Sequence, residues 1–184
     1  YEGISTKEIF NKESILIDLI KSEIFNNNNL NININLDVRD ITNSNELNNL
    51  LLNLKLEQSE ITFSESEIMW KDDLYIKIKE GLVIYSDDEI LLVGKLIIDV
   101  KNIDDFYKSF QIKKIYRKDI KEFQLDFIYN LDNNKIQFDN ILIDKESNAK
   151  ADKFINKFNS TNKEILNKIT FKNLINKFFV NYAG

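Results

Sequence analysis

Carboxylates and cationic side chains carry most of the chemical potential of this 184-residue chain, which has no Cys and no His. That absence excludes thiol chemistry, zinc fingers and most zinc enzymes, haem held by His or Cys, and nucleophiles activated by His. Adjacent acids stand at Asp72-Asp73 and Asp87-Asp88. Two carboxylates held close can act as the acid and the base of a hydrolase. Both pairs fall in stretches that read as turns, where Asp is favoured by its bonds to the local backbone. No Asp-rich calcium loop is present. Glycines at positions 3, 81, 94 and 184 alone cannot build a phosphate-cradling loop. We therefore assign no catalytic residue, metal ligand or cofactor, and read the chain as a non-enzyme. A hydrolase with an unlocated carboxylate pair stays as a distant third reading.

Cationic groups concentrate in one run, Lys113, Lys114, Arg117, Lys118 and Lys121, with Tyr116 among them. Such a run suits the phosphates of anionic lipid head groups or of nucleic acid. It also suits a solvated loop between a helix and a strand. The formal net charge of −5 favours the loop and argues against a nucleic-acid partner.

The remaining chemistry is hydrophobic. Leu30, Ile32, Ile34 and Leu36 alternate with Asn31, Asn33, Asn35 and Asp37, and Leu50, Leu52, Leu54 and Leu56 alternate with mostly polar partners. A period of two makes a strand with one apolar and one polar face. The apolar face must be covered by helices, by a ligand or by a neighbouring module.

These groups are positioned by a chain rich enough in apolar residues, at 43%, to rule out a disordered acidic tail. Ser5 and Glu8 have capping-box spacing, and Ile15, Leu16, Leu19, Ile20 and Ile24 form a helical stripe that Asn26 to Asn29 stops. Turn residues run from Thr42 to Asn45. Ile61 and Phe63 share a face, as do Ile68 and Trp70. Asp72-Asp73 turns the chain into Leu74, Ile76 and Ile78. Gly81 precedes a further strand, Leu82 to Tyr85, and Ser86 to Asp88 is another turn. Ile90 to Val100 is apolar on both sides, which predicts a strand covered on both faces, and Gly94 within it marks a bulge or a close backbone approach. Asp104 to Phe110 reads as a short inserted helix. Phe123 to Tyr129 and Ile136 to Ile143 predict a hairpin turning at Leu131 to Asn134, with a phase slip at Asn140. Ser147 to Phe158, and the stripe Phe171, Leu174, Ile175, Phe178 and Phe179, read as C-terminal helices. The last stripe suits packing on its own sheet better than lying on a membrane surface.

The expected fold is α+β and mainly antiparallel β. It is a curved meander sheet of seven or eight strands forming a groove, with an N-terminal helix, an inserted short helix and C-terminal helices, as a single module over residues 1–184. No apolar run approaches the ~20 residues of a membrane span. No signal peptide is visible and the first residue is Tyr1, so we read the chain as a piece of a longer protein.

Several segments together resemble a known family. They are Met69-Trp70-Lys71, Leu91 to Leu96, Asp105-Phe106-Tyr107, Tyr116 to Lys121, Phe138 to Asp144, Ile169 to Asn173, and Tyr182-Ala183-Gly184. The pattern resembles the C-terminal region of AsmA-like proteins of the AsmA/TamB superfamily from AT-rich alphaproteobacteria. The resemblance runs over most of the chain and is strongest from about Leu50 onward. It implies a long curved sheet with an apolar inner groove, held at the inner membrane by an upstream helix, extending into the periplasm and involved in phospholipid transport and outer-membrane upkeep. It brings no catalytic residues. The expected partners are phospholipid acyl chains along the stripe Leu30 to Leu56, or else another envelope protein docked on a helix-capped sheet end.

Overall fold

The computed structural model describes residues 18, 20–22, 27, 29–41, 46–86, 89–161 and 168–184. Alternation in the sequence becomes register in the sheet. Ile32, Ile34, Leu36 and Val38 of β1 (Ile32–Asp40) stand opposite Leu56, Leu54, Leu52 and Leu50 of β2 (Leu47–Glu57). The chain continues through β3 (Glu60–Thr62), β4 (Ser66–Trp70), β5 (Leu74–Ser86), β6 (Glu89–Val100), β7 (Glu122–Asn130), β8 (Lys135–Ile143) and β9 (Glu146–Ser147). All nine belong to one curved antiparallel sheet. Helix α1 (Ile103–Ser109) interrupts the strands, and α2 (Ala149–Ser160) and α3 (Lys168–Ala183) follow them.

Except for β3 and β4, each strand pairs with its sequence neighbours, so the topology is a meander. The one refinement is that β3 and β4 together fill a single strand position between β2 and β5. The break between them still satisfies its backbone. Phe63 N–H donates to the Gly81 carbonyl (3.0 Å) and Glu65 N–H to that of Ile78 (2.8 Å). Asn53 N–H donates to Ser66 Oγ (3.0 Å), and the Asn53 amide donates to the Glu65 carbonyl (2.8 Å).

Three bulges share one form. Asn49–Leu50 oppose Ile68, Glu80–Gly81 oppose Gly94, and Asn140–Ile141 oppose Leu125. The first residue of each pair is left-handed, with φ of 47°, 53° and 49°. A bulge bends its strand and shifts the side-chain phase by one. The apolar series therefore passes from Ile78 to Val83 and from Phe138 to Ile141 without changing face. Gly81 does not begin a new strand; it lies at the bend of one long strand. One continuous apolar inner face results, from Val38 on β1 to Ile143 on β8.

Helices cover the β6–β8 half of that face. Phe106 of α1 and Phe110 at its C-terminal cap, Ala151 and Ile155 of α2, and Phe178 and Phe179 of α3 pack with Leu74, Phe123, Leu125, Ile141 and Ile143. Asn102 caps α1 at the Asp105 N–H (3.2 Å), and Asn148 caps α2 at Lys150 and Ala151. The last apolar stripe thus packs on its own sheet. Trp70, the only Trp, lies between Phe110 and Phe171, with ring centroids 5.6 and 5.7 Å away. A smaller cluster of Ile20, Leu56, Ile61, Ile90 and Leu131 closes the opposite corner. There the Asp132 carboxylate accepts from Ile90 N–H and from Lys21 Nζ, both at 2.8 Å.

The outer face departs from expectation. Leu82, Ile84, Leu91, Val93 and Ile128 point outward in register, and no described element covers them. The apolar content of Ile90 to Val100 on both faces therefore does not signal a strand buried on both sides. The sheet edges also differ. β8 is flanked by β9, and the Asn159 amide of α2 accepts from Phe138 N–H (3.1 Å) and donates to its carbonyl (2.7 Å). Among the described residues, no strand pairs with the outer edge of β1. Of the expected N-terminal helix only Asp18 and residues Ile20 to Ser22 are described, with Ser22 N–H bonded to the Asp18 carbonyl (2.9 Å). The Thr42–Asn45 turn and the pair Asp87-Asp88 lie outside the described residues.

Candidate functional site: an apolar cleft on the inner face

Between the two packed clusters the inner face is open. A cleft of about 180 Å³ is lined by Leu50, Leu52 and Leu54 of β2, Ile76 and Ile78 of β5, and Leu92 of β6, over a floor of Ile61 and Phe63. The surface it presents is apolar throughout. Ser66 and Glu67 lie at its margin. The Ser66 hydroxyl is already engaged with the Asn53 backbone.

Its floor depends on two glycines. A Cβ on Gly81 would stand 2.8 Å from the Phe63 ring, and one on Gly94 would stand 3.2 Å from the Phe127 ring. The two rings sit over the bare backbone and meet edge to face at 6.5 Å. The sequence predicts a bulge or a close approach at Gly94. The bulge lies on the partner strand, and Gly94 is the close approach.

The eight stripe residues separate into groups. Leu50, Leu52 and Leu54 line the cleft. Ile34, paired with Leu54, is 40% exposed and Leu36 is half-buried on the same face. Leu56 is sealed at 2% exposure and, with Leu30 and Ile32, belongs to the corner cluster. Leu30 precedes β1 rather than lying on it, and its N–H bonds to the Asn27 carbonyl (2.9 Å). The sequence does not assign Phe63, Ile76, Ile78 and Leu92 to the groove, although alternation carries Phe63, Ile76 and Ile78; Leu92 lies in a run that is apolar on both faces. Ile76 and Ile78 reach β2 through β4, whereas Leu92 is kept on the cleft side by the bulge at Glu80, and Glu gives no hint of a left-handed residue.

None of the five cations lines the cleft. Lys113 precedes a single 3-10 turn, Lys114–Tyr116, and Lys118 and Lys121 follow it, all exposed. Arg117 is held: its Nε donates to the Ile112 carbonyl (3.0 Å) and its guanidinium lies 5.3 Å from the Tyr107 ring centroid. Lys121 N–H donates to the Asp144 carboxylate (2.8 Å), which also takes Glu122 N–H.

The acid pair Asp72-Asp73 does form a turn, but its members differ. Asp72 is exposed and Asp73 is buried. Ser109 Oγ donates to Asp73 Oδ2 (3.3 Å), and Lys71 Nζ lies 3.4 Å from the same hydroxyl. Burial pushes the Asp73 carboxyl above its usual range, against the Ser109 hydrogen bond, which lowers it. The contacts tie the turn to the end of α1. Burial likewise raises the Tyr107 phenol, which accepts Lys118 N–H (2.8 Å). Among the described residues no three acidic side chains gather as a metal site, and no helix is long and apolar enough to cross a membrane. In comparisons with protein families, curated proteins and solved structures, nothing matches this chain.

Proposed function

We propose that this chain is a non-enzymatic module that shelters phospholipid acyl chains along the inner face of its sheet. In this reading it is the periplasmic end of an inner-membrane-anchored protein of the AsmA-like kind, serving lipid movement between membranes. The observation that carries the reading is the apolar cleft left between two packed clusters. Apolar cavities of about 150 Å³ stay dry and take up benzene-sized guests. A cleft of this size fits a few methylenes, so it serves as one segment of a longer apolar track. Leaving such side chains in water costs roughly 1.5–3 kcal/mol each, which favours an apolar occupant.

A second reading has support from α1, α2 and α3, which already cover half the face. There the module is a helix-capped sheet end that docks another envelope protein and holds no lipid. Photo-crosslinking from position 54, with mass spectrometry of the adducts, distinguishes the two. Acyl-chain adducts that vanish in Leu50→Asp, with the fold retained, support the lipid track. An unfolded Leu54→Asp, with no lipid adduct at the parent position, supports the capped module.

A further inference from the structure

Ile115 is 75% exposed, far above the other exposed large apolar side chains among the described residues, of which the next are at 45%. It is not carried on a loose loop. Tyr116 N–H bonds to the Lys113 carbonyl (2.9 Å) and Arg117 N–H to that of Lys114 (3.2 Å). Tyr116 packs against the main core, and the turn is bounded by Ile112 and Ile120, exposed by only 3% and 2%. Arg117 is fastened beneath it on Tyr107 and the Ile112 carbonyl. The turn is thus braced from inside while Ile115 projects. Around it Lys113, Lys114 and Lys118 are exposed, and none has an ion-pair partner among the described residues. Asp119 is the only acid between Phe110 and Lys121 in a chain of net charge −5.

We propose that the Lys113–Lys118 turn docks on an anionic bilayer, with Ile115 entering the head-group boundary and the three lysines meeting lipid phosphates. Charge complementarity selects an anionic partner. The single aliphatic tip selects a bilayer over nucleic acid, because it offers no ring on which a base stacks. Lysines at such a boundary bury their stems and keep their charges at the phosphates. The proposal concerns a surface separate from the cleft and stands or falls without it.

Flotation with vesicles of phosphatidylcholine plus phosphatidylglycerol, and of phosphatidylcholine alone, tests it. The chain is expected on the anionic vesicles and to come off with salt. Each of Lys113→Gln, Lys114→Gln and Lys118→Gln should lower partitioning about five-fold. Ile115→Ser should lower it about ten-fold or more. Lys55→Gln, on the sheet away from the turn, should leave it unchanged. Emission from Ile115→Trp should shift to the blue and be quenched by brominated lipid. Absence of binding, equal binding to neutral vesicles, or binding indifferent to Ile115→Ser overturns the proposal. Loss in a Leu54→Asp variant that keeps its fold, with Ile115→Ser unaffected, would overturn the proposal and assign the binding to the cleft.

Discussion

Gly81 and Gly94 face each other across β5 and β6, so close that a Cβ on Gly94 would stand 3.1 Å from the Gly81 Cα. The same Cβ would stand 3.3 Å from the Lys79 carbonyl oxygen. Two of its nearest neighbours are therefore backbone, which cannot rotate aside. Gly94→Ala is expected to destabilise the fold by about 1–3 kcal/mol, the usual cost of forcing atoms into a packed site. Chemical denaturation measures it, and a neutral or stabilising Ala would refute the close approach.

Leu54 and Leu56 lie two residues apart on the same strand face yet should behave differently. Leu56 is sealed among Ile20, Ile61, Ile90 and Leu131, so Leu56→Ala should cost about 2–5 kcal/mol. Leu54 borders the cleft and already has open space beside it, so Leu54→Ala should cost clearly less. Equal costs in urea unfolding would mean that the cleft is closed in solution.

Asp73 gives a pH signature. Its carboxyl is raised from the ordinary 3.8, so the folded state binds the proton more tightly than the unfolded state. Its contribution to stability is fully present below the unfolded pKa and is lost as pH rises through the folded value. Asp73→Asn keeps an acceptor for Ser109 and removes the charge. The Asn variant should gain on the parent as pH climbs above about 4, with the gap closing in acid. Melting temperatures across that range check it. A constant gap, or a less stable Asn variant at neutral pH, sinks it.

Much of this architecture is legible in the sequence. The stripes from Ile32 and Leu50 alternate cleanly, and Asn140 shows its phase slip because Asn tolerates left-handed backbone. The hairpin around Leu131 to Asn134 carries Asn and Asp where the turn needs them. Other features are hidden because atypical residues hold special conformations. Gln58 and Ser59 are both left-handed without a glycine, so the turn into β3 is silent. Glu80 conceals the bulge that keeps Val83 and Leu92 on the cleft side. Burial of Asp73 depends on α1, whose return to the turn no local pattern reveals.

Asn159 makes a test of the sealed edge. Its amide occupies both polar groups of Phe138, so Asn159→Leu should leave the N–H and carbonyl unpaired and cost about 1–3 kcal/mol. Hydrogen exchange at the Phe138 amide should quicken selectively. Unchanged exchange there would show that the edge is protected by other means.

The unequal margins of the sheet give it a direction of growth. In the language of polymerisation, α2 is a terminator, because Asn159 fills the sites that an incoming strand would use at Phe138. β1 is the live end, since among the described residues no strand pairs along its outer side. A strand paired there that repeated the two-residue alternation would bring its apolar side chains beside Ile32, Ile34 and Leu36, so the apolar face would lengthen by one row with each such strand.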